Sequence, residues 1–81
     1  MTRLDHYEDA LRAAMSALAE ARGASSSFCP SEAARKVAQD WRPLMPEVRR
    51  LAVEMGLVAT QKGVPVHPEH ARGPIRLSKP K

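Results

Sequence analysis

Apolar residues recur at Leu4, Tyr7, Leu11, Ala14, Met15, Leu18 and Ala21, a three-and-four spacing that predicts an amphipathic first helix. Thr2 followed by Asp5 has the form of a capping box, and Asp5, Glu8 and Asp9 suit the positive end of the helix dipole. Arg22 falls in the last turn, and Gly23 is placed to close it. Ala24 to Phe28 is a short connection whose end could pair as an edge strand around Phe28. Cys29-Pro30-Ser31-Glu32 then carries helix-start signals. Cys29 takes the cap position, Pro30 the first helical position, and Glu32 can reach back to the Cys29 N–H. This second helix is expected to run to about Gln39, with Ala33, Ala34, Val37 and Ala38 inward. Asp40-Trp41-Arg42-Pro43 reads as a turn, because Pro43 disfavours helical geometry at Arg42. A third helix is expected over roughly residues 43–55, with Leu44, Val48, Leu51, Ala52 and Met55 as its stripe and Gly56 as its stop.

Beyond Gly56 the period changes from helical to two. Leu57 to Gln61 favours a strand, Lys62-Gly63 supplies a two-residue turn, and Val64-Pro65-Val66 returns. Pro65 has no N–H to give a ladder, so the returning strand belongs at an edge. His67 to His70 makes a turn or a helical stub, Arg72-Gly73-Pro74 breaks it, and Ile75-Arg76-Leu77 alternates as a last short strand. Three helices followed by a hairpin is the order of a small α+β winged helix, in which the second and third helices form a helix-turn-helix. The domain is expected over residues 1–78, with 79–81 a disordered tail.

Four stretches carry a resemblance. They are Cys29-Pro30-Ser31-Glu32-Ala33-Ala34-Arg35, Trp41 to Pro46, Thr60 to Val66, and Ala71 to Leu77. In this order they resemble the short bacterial proteins called domain of unknown function 3253. The resemblance implies a winged-helix-like fold in a bacterial, cytoplasmic protein. It implies no activity and supplies no catalytic residue.

Composition narrows the picture. With 81 residues the chain makes one small domain. Its three aromatics, Tyr7, Phe28 and Trp41, leave the core to aliphatic side chains. No apolar run reaches the length of about 18 residues a membrane helix needs, and no signal-peptide pattern opens the chain. A single cysteine, Cys29, excludes an intrachain disulfide and suits a reducing cytoplasm. The net charge of +4 is uneven: residues 1–41 carry a balance of −1 and residues 42–81 a balance of +5. A basic half of this kind is the electrostatic footprint of a phosphate-binding surface.

Catalytic constellations are absent from the sequence. There is no Ser-His-Asp order, no glycine-rich phosphate loop and no pair of acids in a plausible pocket, so the expectation is a protein that is not an enzyme. Cys29 at a helix start could be an activated thiol, but a lone cysteine beside Phe28 reads first as a small core residue. His67 and His70, with His6 and Cys29 as distant candidates, fall short of a zinc ligand set, and no metal or other cofactor is expected. Trp41 reads as an anchor for the turn ahead of exposed stacking.

That leaves surfaces. The third helix of a helix-turn-helix reads base edges, and here its outer face carries Glu47, Arg49, Arg50, Val53 and Glu54. Arg50 has Glu47 and Glu54 at ion-pairing spacing, whereas Arg49 has no acid at four residues and is the freer candidate. Arg42 in the preceding turn and Lys62 at the hairpin tip are natural phosphate contacts, with Arg72 and Arg76 secondary. The leading expectation is therefore a non-catalytic module binding double-stranded DNA through Arg42, Arg49, Arg50, Lys62, Arg72 and Arg76. The alternative is a protein-docking module using Val53 and the edge strand Val64 to Val66. Neither expectation involves a membrane or a small-molecule substrate, and the oligomeric state is left open.

Overall fold

In the computed structural model, which describes the backbone of residues 3–80 and the side chains of residues 7–80, Arg3–Arg22 forms α1. Thr2 and the side chains of Leu4, Asp5 and His6, invoked above for a cap, the apolar stripe and a ligand, lie outside the described residues. Leu11, Met15, Leu18 and Ala19 are buried along one stripe, with Tyr7 and Ala14 at its margin. Ala21, expected inward, is exposed. A 100° step per residue carries position 21 past the core and brings position 19 under it. Gly23, with φ 71°, closes the helix by donating its N–H to the Ala19 carbonyl at 2.9 Å.

Phe28 pairs with Leu77 through two backbone hydrogen bonds of 2.8 Å each, as the edge reading expected. Pro30–Val37 forms α2. Its start follows the sequence reading: the Cys29 N–H donates to the Glu32 carboxylate at 2.7 Å, and Pro30 takes the first helical position. Its end does not. Ala38 is already extended, at φ −146° and ψ 145°, so α2 stops two residues before Gln39. Ala38 and Gln39 are acceptable helix formers and carry no stop signal; Val37, Ala38 and Trp41 are partly buried against the core where the chain leaves the helix.

Arg42–Leu44 is a short 3-10 turn that runs into α3, Met45–Glu54. Arg42 therefore does adopt helical-type geometry ahead of Pro43. The tighter turn accommodates it, and Pro43 and Pro46 occupy first-turn positions, where no helical acceptor waits for their missing N–H. Leu44, Val48, Leu51 and Ala52 are buried, with Met55 against them, as the stripe predicted. At the C-terminus Gly56 (φ 70°) donates to Val53 at 3.1 Å and Leu57 donates to Ala52 at 3.0 Å, the paired bonds of a Schellman stop.

Three strands follow, β1 (Val58–Gln61), β2 (Val64–Val66) and β3 (Arg76–Ser78), in the antiparallel order β2-β1-β3. Gln61 faces Val64 across a turn in which both Lys62 (φ 52°) and Gly63 (φ 83°) are left-handed, the geometry that matches the twist of a two-residue hairpin. β2 is an edge strand, where Pro65 is tolerated. Ala59, Ile75 and Leu77 turn inward onto the helices, and Phe28 is buried where α1, α2 and β3 meet. No described polar or charged residue is buried. Three helices followed by a three-stranded antiparallel sheet make this a small α+β fold of winged-helix type.

Candidate nucleic-acid interface

The cations expected to meet phosphate have different surroundings. Arg42 is exposed, its Cζ 4.7 Å from the centroid of the Trp41 ring. Arg35, in the last turn of α2, lies 4.6 Å from the same ring, and exposed Lys36 follows it. An indole face attracts a guanidinium through its quadrupole and orders it without cancelling its charge. Among the described residues none of these three cations pairs with a carboxylate. Trp41 itself is half-buried against the margin of the core, the anchoring role the sequence suggested.

Lys62 is exposed at the hairpin tip, and Arg72 is exposed on the loop between β2 and β3. That loop is fastened from below. The Gln61 side-chain amide donates to the Arg72 carbonyl and, at 3.3 Å, to that of Pro74.

Arg49 is the largest departure from the sequence reading. It has no acid four residues away on its helix, but it is not free. Its guanidinium donates to the carbonyls of Ala71 at 2.6 Å, Gly73 at 2.7 Å and Pro68 at 3.3 Å, clamping the same loop onto α3. Backbone acceptors twenty residues downstream leave no trace in a local charge pattern. Arg50 behaves as its neighbours predicted. It donates to Glu47 and Glu54, and it also lies 3.4 Å from Glu8 on α1. Arg12 completes the network, 2.9 Å from Glu8 and 2.7 Å from Glu54. The Arg12 hydrogen bond, opposed by partial burial and reinforced by Arg50, holds the Glu8 carboxyl below its ordinary range. The acids of α3 are thus compensated within the protein, on the side of the helix that faces α1.

Arg76 is exposed but engaged within the protein. Its Nε donates to the Ser27 hydroxyl at 3.0 Å and Nη2 to the Ser27 carbonyl at 2.8 Å. Arg22 reaches the same carbonyl at 2.9 Å and the Glu32 carboxylate at 2.8 Å. Apart from its ion pairs, α3 exposes Pro46 and Val53, seven residues apart on one face, with Val53 40% exposed.

Other candidates fall in separate places. Cys29 is half-buried with its sulfur 3.1 Å from the Ser31 hydroxyl. His67 and His70 stack with ring centroids 4.2 Å apart. Among the described residues, no three His, Cys, Asp or Glu side chains gather where they could hold a metal ion, and no helix is long and apolar enough to cross a membrane.

The structure brings Arg42 together with Arg35 on the Trp41 ring, with exposed Lys36 next to Arg35 in the chain, and the sequence reading passed over both. Two basic residues at the end of one helix and a Trp-Arg pair at the start of the next turn were the available signal. Among comparisons with known proteins, a family model described as a protein of unknown function, DUF3253, matches residues 8–80, nearly the whole chain. No curated protein matches it.

Proposed function

The chain belongs to this family of proteins of unknown function, DUF3253, and we propose that it is a non-catalytic module that holds double-stranded DNA by its phosphates. In this reading the contacts come from the end of α2 and the turn before α3 (Arg35 and Arg42, ordered by Trp41, with exposed Lys36) and from the wing side, where Lys62 and Arg72 stand in solvent. The observation that carries it is the distribution of compensation. The acids of α3 are matched internally, while the cations around Trp41 have no carboxylate partner among the described residues. Phosphate contacts fix a protein on a duplex but convey no sequence, and α3 has its two arginines committed elsewhere. The expected binding is therefore weakly selective, with Arg49, Arg50 and Arg76 committed to contacts within the fold. A reducing bacterial cytoplasm, where Cys29 stays a thiol, is the setting that goes with this reading.

The docking alternative meets a specific obstacle at β2. Because Gln61 and Val64 flank a two-residue turn as a hydrogen-bonded pair, the Thr60–Pro65 pair is a non-bonded one, and the backbone of Pro65 points outward. That position offers a carbonyl and no donor, a poor template for an added strand.

The test is a set of charge removals, with affinity read by anisotropy of a labelled duplex at low salt. Arg35→Ala, Lys36→Ala and Arg42→Ala should each weaken binding by about three- to tenfold. Lys79→Ala removes a charge paired with Glu20 at 2.8 Å and should change affinity by less than about twofold. Equal losses in all four, or no binding by the parent protein, would overturn the proposal.

A further inference from the structure

The loop from His67 to Gly73 is held at both ends of its first turn by one residue. The carbonyl of His67 accepts the N–H groups of His70 at 3.2 Å and Ala71 at 3.0 Å, and its ring Nδ1 accepts the Glu69 N–H at 3.2 Å. An Nδ1 that accepts a hydrogen bond carries no proton, so this arrangement belongs to the neutral imidazole. The His70 ring lies over it, 4.2 Å away and inclined by 28°. Downstream, the carbonyls of Ala71 and Gly73 and the upstream one of Pro68 hold the Arg49 guanidinium.

We propose that His67 and His70 form a proton-sensitive latch on the first turn of this loop. Protonation of His67 turns its Nδ1 from acceptor to donor and removes the bond from Glu69. Protonation of both rings puts like charges face to face at a stacking distance. Around the pair, Arg49 on α3 donates to the Pro68 carbonyl between the two histidines, Arg72 follows on the loop, and Glu69, whose N–H meets the His67 ring, is the one acid of the turn. Imidazole is the side chain whose ordinary charge change falls between about pH 5 and 8.

The experiment uses the free protein and is independent of DNA. Amide hydrogen exchange, corrected for the intrinsic pH dependence of exchange, is followed by NMR at pH 7.5 and pH 5.5. Protection at His70 and Ala71 should fall by about tenfold or more at the lower pH, while Leu51 in the core keeps its own. The double substitution His67→Gln and His70→Gln should leave loop protection, high or low, the same at both pH values. Loop protection unchanged between the two pH values in the parent protein would overturn the latch. So would a loss of the same size in the double variant.

Discussion

Arg49 and Arg50 are adjacent on α3 and have opposite surroundings, carbonyls for one and carboxylates for the other. Arg49→Ala leaves three loop carbonyls without their common donor, and a loss of about 1–2 kcal/mol is expected in urea unfolding. Arg49→Lys should recover little of it, because one ammonium cannot span the three acceptors that the planar fork reaches. Glu32 supplies a second prediction, in pH. The Arg22 hydrogen bond, and after it the Cys29 N–H, hold its carboxyl below the ordinary value. A carboxyl lowered in the folded state stabilises the fold above its unfolded value, and the contribution is lost as pH falls through the folded one. Stability should therefore decline from about pH 5 downward. Glu32→Gln should start lower at neutral pH and fall less steeply in acid, as read by thermal melts across that range.

At the scale of elements, what the sequence made legible was punctuation. Gly23, Pro30, Gly56 and the Lys62-Gly63 pair mark ends and turns through backbone geometry of their own, and each sits where it was read. The end of α2 was not legible, since neither Ala38 nor Gln39 is a residue that stops a helix. The engagement of Arg49 and Arg76 was hidden as well, their acceptors being backbone or hydroxyl oxygens 19 to 49 residues away. The hairpin offers a way to separate shape from charge. Lys62 is a left-handed residue that lacks the glycine exemption, and Asn tolerates that conformation better. Lys62→Asn should leave stability unchanged or raise it by a few tenths of a kcal/mol. The same change should reduce the salt dependence of duplex binding by about one phosphate. A substitution that lowered both together would mean the charge effect was a folding effect.

The whole molecule rests on a small aliphatic core with one fully buried aromatic at its junction. Phe28→Ala should cost about 3–5 kcal/mol, enough to unfold much of a domain this size in a calorimetric scan. Around that core the charges are sorted. Arg12, Arg50, Glu8, Glu47 and Glu54 bind α1 to α3, while the cations of the turn and the hairpin face solvent. The excess of basic residues in the second half was visible in composition, but which of them are available was not. That depends on pairs such as Arg12 and Glu54, which lie 42 residues apart. The most direct measurement of the central claim is the salt dependence of binding to a duplex of random sequence. If Arg35, Lys36, Arg42, Lys62 and Arg72 each meet a phosphate, log affinity should fall against log salt with a slope of about −4 to −5. In the triple variant Arg35→Ala, Lys36→Ala, Arg42→Ala that slope should shrink to about −2. Absence of binding at low salt, or an unchanged slope in a triple variant that remains folded, would contradict the account.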